Sequence, residues 1–374
     1  MKGKTTMLRS VNPSAEAGPV GRARSTALGA ILLTWRQVRA QVLLAFGLLA
    51  LVAIVAIITG PHLVHLYDVN VAPCQSHNDC SSASSAFLLN DHFLQATLNT
   101  LVLVAPALTG MFWGAPLISR ELETGTYRLV WTQSLTRGRW LAVKIGLVGL
   151  ASMAVSGLLS LIVTWWSSPF DRVNLNRFTP AMFGERGLTP IGYAAFAFAF
   201  GVAAGVLIRR AVPTMAATLA AVVAARLAIG YLVRPHLVAP IRSTMPFPAG
   251  GAGPTAVPGG WTLSQQTINA AGHVIGQNGG IGSNGGFGFQ QNSNGTLVLQ
   301  GVGTCPGKPP VQLARSPHPG FLQACVKHFG LRDVLTYQPA SRYWAFQWYE
   351  TAIFLALALA LAGFSFWWVR RRLT

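Results

Sequence analysis

Six long apolar segments restrict what this chain can fold into. Five of them carry no charged residue, and the segment 211–233 carries only Arg226. The segments cover residues 42–59, 93–119, 145–170, 187–208, 211–233 and 351–369. A helix that crosses about 30 Å of hydrocarbon needs about 20 apolar residues at 1.5 Å per residue. The pattern predicts an all-α membrane protein with six transmembrane helices.

The low content of charged residues supports a membrane protein over a soluble one. Only 10% of the 374 residues are charged, whereas soluble proteins contain about 25%. The first apolar segment begins far from the amino terminus, and no small-residue cleavage site follows it. We therefore interpret it as a permanent span rather than a signal peptide.

The distribution of basic residues predicts the orientation. If the amino terminus is inside, most Lys and Arg fall in cytoplasmic parts: Lys2, Lys4, Arg9, Arg22, Arg24, Arg36, Arg39, Arg120, Arg128, Arg137, Arg139, Lys144, Arg209, Arg210, Arg370, Arg371 and Arg372. This bias follows the positive-inside rule. It predicts a multi-pass protein of the cell (plasma) membrane with both termini in the cytoplasm. It also explains the net charge of +18 without a nucleic-acid partner, since no groove-reading motif accompanies the charge.

The amino-terminal region divides into two predicted parts. Residues 1–26 are polar and aperiodic, which is typical of a flexible cytoplasmic tail. Residues 27–41 place Leu28, Leu32 and Trp35 on one helical face, which predicts an amphipathic helix in the membrane interface. A cytoplasmic extension of the first span is the alternative. The first five spans then occupy residues 42–233, with a cytoplasmic loop at 119–144.

The region 234–349 is predicted to be the largest outside segment, before the sixth span and basic cytoplasmic end at 350–374. Its first half is rich in Gly and Asn, and its second half contains Cys305 and Cys325. The other two cysteines, Cys74 and Cys80, also fall outside. Four cysteines allow three pairings. We favour Cys74–Cys80 and Cys305–Cys325, because each bridge then stays within one loop. We therefore expect this outside region to form a small cap that is tied by a disulfide.

The chain lacks the motifs of common enzyme sites. The nearest approach to a phosphate loop, residues 301–308, is followed by Pro309 where Ser or Thr would hold magnesium. The histidine and cysteine spacings match no strong metal site. We therefore predict no catalytic residue, no metal and no cofactor on this chain.

The loop between the second and third spans carries the most informative pattern. Apart from Glu16, its Glu121 and Glu123 are the only predicted cytoplasmic acids. A Gly125-Thr126 break follows, which favours the end of a helix, and then a basic stretch begins at Arg128. The pattern suits a surface for a partner protein, and an ordinary charged loop is the equal alternative on physical grounds.

This segment resembles the acidic-Gly-Thr signature of the type-2 ABC exporter permeases, in which Glu-x-Glu-x-Gly-Thr precedes a turn and a Lys at the next span. The surroundings at 112–116 and 131–134 look like actinobacterial members. The resemblance implies an interfacial helix, six spans and a large outside loop between spans five and six. It also implies that the segment docks on an ATP-hydrolysing subunit. The residues implied in ATPase coupling are Glu121, Glu123, Gly125, Thr126, Arg128, Arg137 and Lys144.

The resemblance further implies the partners of the chain. They are a separate ABC ATPase, which would hold ATP and magnesium, and a second permease chain, as a homodimer or a paired permease within the membrane lipid. The expected function is export along a path between two permease copies. A non-transporting membrane sensor or anchor with the same fold is the alternative. Arg226 is a candidate for the substrate path, because charge deep in a span is costly and is often functional. Outward snorkelling is the other interpretation.

Overall fold

Six helices in the described part of the chain are long and apolar enough to cross a membrane, as the sequence predicts. The structure, a computed structural model, describes residues 19–76, 81–125, 137–174, 177–246, 257, 259–277, 289–291, 297–299, 303–306 and 319–372. We call these helical segments spans 1 to 6, in order: Thr34–Asn70, His92–Thr124, Gly138–Trp166, Thr189–Ile208, Ala211–His236 and Ala340–Arg372.

Several spans combine more than one helical element. The α-helices are Pro19–Asn70, Ser81–Asn90, His92–Thr109, Ala115–Thr124, Arg137–Trp166, Ser168–Asn174, Pro180–Phe183, Thr189–Ile208, Ala211–Leu227, Pro319–His328 and Tyr343–Arg372. Two π-helical turns, Gly110–Gly114 and Ala228–Val233, interrupt spans 2 and 5. The 3-10 turns are Pro73–Ser76, Arg234–His236 and Ala340–Arg342.

Span 1 continues a helix that begins at Pro19, well before the apolar segment. The helix runs unbroken to Asn70, and Pro61 is its only internal proline. Residues 27–41 are therefore helical, as the sequence predicts, and continuous with the first span. No proline separates the amphipathic stretch from the apolar one, so nothing forces a break between them. The predicted tail overlaps this helix from Pro19 onward, and residues 1–18 lie outside the described part.

Span 4 forms the centre of the helical bundle. In its most apolar stretch 78% of the residues are buried, against 17% for span 1 and 22% for spans 5 and 6. Span 4 is uncharged and apolar on every face, the composition of a helix surrounded by others. Gly201 permits a close approach to span 2, because a side chain there would lie 2.7 Å from Gly110 O and Ala115 N.

The region between spans 5 and 6 contains two antiparallel sheets, so the expectation of an all-α fold is incomplete. The strands are β1 Ile241–Pro246, β2 Trp261–Ile268, β3 Val274–Gln277, β4 Phe289–Gln291, β5 Leu297–Leu299, β6 Gly303–Thr304 and β7 Arg332–Gln338. One sheet has the order β1-β7-β2-β3 and the other β4-β5-β6. Trp261 packs with Phe178, Tyr343 and Phe346, which places the first sheet at one end of the bundle. We call this end the sheet end, and the opposite end the loop end.

The cysteines agree with the predicted local pairing where they are described. Cys305 and Cys325 lie at disulfide distance, with Cα atoms 5.1 Å apart. Cys74 is also disulfide-bonded, while its predicted partner Cys80 lies outside the described residues. The Cys305–Cys325 bridge joins the segment after β6 to the helix Pro319–His328.

Candidate functional site

Glu121 lies at the loop end and connects three spans. It belongs to the last turns of span 2 and forms an ion pair with Lys144 of span 3. Gln37, on the helix of span 1, donates a hydrogen bond from Nε2 to Glu121 Oε1 at 3.4 Å. The Lys144 side chain is 1% exposed and that of Glu121 is 15% exposed. The structure therefore brings together two of the predicted coupling residues and adds Gln37, which sequence reasoning missed.

The Lys144 ammonium is enclosed on its other side by an aromatic ring. Its Nζ lies 4.8 Å from the ring centroid of Trp140, a distance that suits a cation–π interaction. Glu121 Oε2 is buried and has no hydrogen-bond partner in the described part of the chain. A buried carboxylate oxygen without a partner is unfavourable. Lys144 is therefore well enclosed by Glu121 and Trp140, whereas Glu121 has one carboxylate oxygen without a hydrogen bond.

Glu123 is exposed and makes a different contact. Its Oε2 accepts a hydrogen bond from the backbone N–H of Ala211 at 3.1 Å, where the helix of span 5 begins. The first N–H groups of a helix lack partners within the helix, and a negative charge there is stabilised by the helix dipole. Glu123 thus links the end of span 2 to the start of span 5.

The helix that carries both acids ends at Gly125, as the sequence predicts. Gly125 has φ of +72° at the helix C-cap, a left-handed conformation that glycine adopts without strain. Of the remaining predicted coupling residues, Thr126 and Arg128 lie outside the described residues. Arg137 begins the helix that contains span 3. The structure therefore describes the two ends of the loop, where it leaves span 2 and where it enters the helix of span 3.

Arg226 points into the bundle near the sheet end. Its guanidinium donates to the backbone carbonyl of Leu103 in span 2 and to that of Gly184 at 2.8 Å. It also lies 4.4 Å from the ring centroid of Tyr193 in span 4. These contacts join spans 2, 4 and 5 to the connector between spans 3 and 4. The guanidinium of Arg226, the candidate path residue, therefore finds its hydrogen-bond acceptors and its aromatic contact within a single chain.

A second buried ion pair lies at the sheet end, and sequence reasoning missed it. Arg234 donates to Glu350 from Nε at 2.9 Å and from Nη2 at 3.0 Å, and the two side chains are 1% and 0% exposed. The hydroxyl of Tyr193 donates to the same carboxylate. The available signal was the presence of opposite charges at the facing ends of two consecutive spans.

The connector between spans 3 and 4 packs among these charges. Gln347 of span 6 accepts backbone N–H bonds from Leu188 at 2.9 Å and Thr189 at 3.1 Å, and Ser160 donates to Gly187 O at 2.9 Å. Within this connector, burial raises the pKa of Glu185 to about 7, although Arg186 and Arg226 favour its charged form. The sheet end is thus closed by polar groups that bond to each other.

Comparison with protein families gives a match that covers half of the chain. The family described as ABC-2 membrane transporter related matches residues 46–234. The match contains the Glu121–Lys144 pair, Glu123 and Arg226, and it stops before the sheets and span 6. Neither curated proteins nor solved structures give a match.

Proposed function

Because the chain belongs to the ABC-2 membrane transporter related family, we propose that this multi-pass membrane protein is the permease subunit of an ATP-driven exporter. ATP and magnesium would bind to a separate ABC ATPase. The observation that carries the proposal is the Glu121 cluster: at the base of the loop that the family resemblance implies in ATPase docking, one carboxylate contacts Gln37 on span 1 and Lys144 on span 3.

In this proposal the loop end faces the cytoplasm, in keeping with the excess of Lys and Arg there. The ATPase would bind the loop between spans 2 and 3, and a push on the loop would act first on Glu121 and Glu123. Glu121 would pass the displacement to spans 1 and 3, and Glu123 to the start of span 5. A loop with free acids would lack such connections. The buried Lys144 makes the first connection the stronger, since breaking a buried pair costs more than breaking an exposed one.

Two copies of the chain would form the transport path between them. Span 5 offers a face for this contact, since Ala216, Ala220 and Ala224 are exposed at a spacing of four residues. Small residues at this spacing allow helices in a bilayer to approach closely. Cysteine at position 220 should then cross-link two copies, whereas cysteine at Leu43, which is also exposed, should not.

A charge swap tests the role of the Glu121–Lys144 pair. Glu121→Lys places two cations together in a buried site and should abolish stimulation of the ATPase. Adding Lys144→Glu restores opposite charges and should recover stimulation, provided that the reversed pair forms. The measurement is ATP hydrolysis by candidate ABC ATPases co-expressed and co-purified with the chain. Asp68→Lys is the matched control, since it reverses an exposed acid near the other end of span 1, away from the loop.

The possible outcomes separate the proposal from its alternative. Stimulation that fails in Glu121→Lys and returns in the double variant supports coupling through the pair. Wild-type stimulation in the single variant would mean that the pair does not transmit the cycle. If the unmodified chain binds no ABC ATPase, the permease function is wrong, and a membrane sensor or anchor takes its place.

A further inference from the structure

A deep apolar groove runs along the bundle between spans 1 and 2. It extends from Ala40 to Val52 on span 1 and from Thr100 to Trp113 on span 2, with Val155 and Leu159 of span 3 at its floor. Its volume is about 670 Å³. Twelve helical steps of 1.5 Å make it about 18 Å long, roughly half of the hydrocarbon thickness. The groove is therefore shorter than the hydrocarbon layer, and its end at Ala40 and Trp113 is the end nearer the loop end.

The groove continues into a polar mouth at the loop end. A second cavity of about 410 Å³ shares Gln41, Phe112 and Trp113 with the groove. Its walls add the polar side chains of Gln37, Arg120, Glu121 and Thr124. The combined cleft is thus apolar along its length and polar at one end. A cleft of this shape and polarity is complementary to one extended chain of an amphiphile, with the polar headgroup at the mouth.

The mouth carries positive charge. Arg120 is exposed, and its guanidinium forms no ion pair or hydrogen bond within the described part of the chain. Arg36 is exposed one helical turn before Ala40, so it lies beside the same face of the helix. The nearest acid, Glu121, is already neutralised by Lys144. A ligand at this mouth therefore meets two cations and a compensated carboxylate.

The residues at the rim favour a flexible chain over another protein helix. Leu44, Leu48 and Phe112 are exposed along the groove, and such bulky side chains hold a neighbouring helix away. Helix pairs in a bilayer gain their stability from close packing of small residues rather than from the hydrophobic effect. An acyl chain can follow the irregular walls.

We propose that this cleft binds an anionic phospholipid of the leaflet at the loop end, with one acyl chain in the groove and the phosphate at Arg120 and Arg36. The site is a property of the single chain and does not require that the protein transports anything. The bound headgroup would lie beside Gln37 and Glu121, which connect spans 1 and 2. The lipid would therefore hold together the two helices that border the groove.

Lipid retention in native mass spectrometry tests the site. The full chain is reconstituted in nanodiscs with equal amounts of phosphatidylglycerol and phosphatidylcholine that carry the same acyl chains, and the lipids that remain bound are counted. We expect one retained phosphatidylglycerol per chain. Arg120→Gln should lower the ratio of retained phosphatidylglycerol to phosphatidylcholine about fivefold, the effect of one basic residue near an anionic lipid surface. Arg210→Gln, at another exposed arginine of the loop end, should not change it.

Filling the groove tests the position of the acyl chain. Leu48→Trp places an indole in the groove and should abolish retention of both lipids. Leu43→Trp is the matched control, because Leu43 is similarly exposed, at 63% against 56% for Leu48, but does not line the groove.

Three results would overturn the proposal. One is equal retention of both lipids by the unmodified chain, which indicates nonspecific annular lipid only. Another is unchanged retention in Leu48→Trp. The third is conversion of a dimer to a monomer by Leu48→Trp with lipid still bound, which would assign the groove to a second copy of the chain.

Discussion

The two ends of the bundle both contain a buried ion pair, but they enclose it differently. At the loop end, Glu121 keeps 15% of its side chain exposed and one carboxylate oxygen lacks a hydrogen-bond partner in the described part. At the sheet end, Glu350 is fully buried and both of its oxygens accept bonds from Arg234, with a further bond from Tyr193. An incompletely satisfied pair costs less to rearrange than a fully satisfied one. We therefore expect the ion pair at the loop end to rearrange at a lower free-energy cost than the ion pair at the sheet end.

Removing the carboxylate partner of each buried cation in turn tests the difference between the two ends most directly. Glu350→Gln leaves Arg234 buried beside a neutral amide and should lower the free energy of unfolding by about 3–5 kcal/mol. Glu121→Gln should cost only about 1–3 kcal/mol, because the Glu121 side chain is 15% exposed and the amide oxygen can still accept a hydrogen bond from Lys144. Thermal unfolding in detergent measures both. The double variant Arg234→Met with Glu350→Leu should be less destabilised than Glu350→Gln, since no unpaired charge remains. Equal losses in the two single variants would contradict the distinction between the ends.

The next largest effect concerns the pH dependence of the sheet end. Its connector holds Glu185, whose pKa is raised by burial from 4.5 to about 7. A raised carboxyl pKa favours the folded state while the group is protonated, and this advantage is lost as the pH rises from about 4.5 through about 7. Glu185→Gln should therefore stabilise the protein by up to about 3 kcal/mol above pH 7 and by little near pH 4.5. Unfolding temperatures across this range measure it. A difference that does not depend on pH would contradict the burial of a titrating carboxyl here.

A smaller effect is expected in the middle of the bundle, which joins the two ends. Gly201→Ala forces a methyl group to 2.7 Å from the backbone of span 2, and such overpacking costs about 1–3 kcal/mol. Gly363→Ala is the control, because nothing lies within 4 Å of the added carbon. The control should be neutral or slightly stabilising. Equal unfolding temperatures for the two variants would contradict the close packing of spans 2 and 4.

The smallest effect is expected for the exposed acid of the loop end. Glu123→Gln removes a negative charge at the start of the span 5 helix, so stability should fall by about 0.3–1 kcal/mol at low salt. The loss should shrink as salt is added, because exposed charges are screened. A loss that salt does not change would mean that Glu123 acts through its hydrogen bond to Ala211 rather than through its charge.

The spans and the end of the coupling helix were predictable because each has a local cause. Apolar length identifies a span wherever a bilayer is the solvent. Gly125 ends its helix through its own backbone freedom. The two sheets were not predictable, because the buried face of β2 includes Gln265 and Thr267, which bond to Asp333 of β7. A polar buried face gives no alternation of apolar and polar residues.

The charged contacts show the same limit for the site. Glu121 and Lys144 were identified through a family resemblance in the segment that carries them. The partners of Arg226 are mainly backbone carbonyls, which every residue provides, so no sequence signal marks them. Arg234 and Glu350 are 116 positions apart, and only the packing of spans 4, 5 and 6 brings them together. Pairing that depends on packing is invisible in a single sequence.

The separation of Arg234 and Glu350 also has a consequence for biosynthesis. A ribosome adds about 5–20 residues per second, so Glu350 is made roughly 6–23 s after Arg234. During that interval span 5 has its arginine but not the carboxylate that neutralises it. The arginine must stay at the membrane surface, in contact with water or lipid phosphate, until span 6 is made. The sheet end can therefore close only after Glu350 and the two sheets that precede it in the chain have been made.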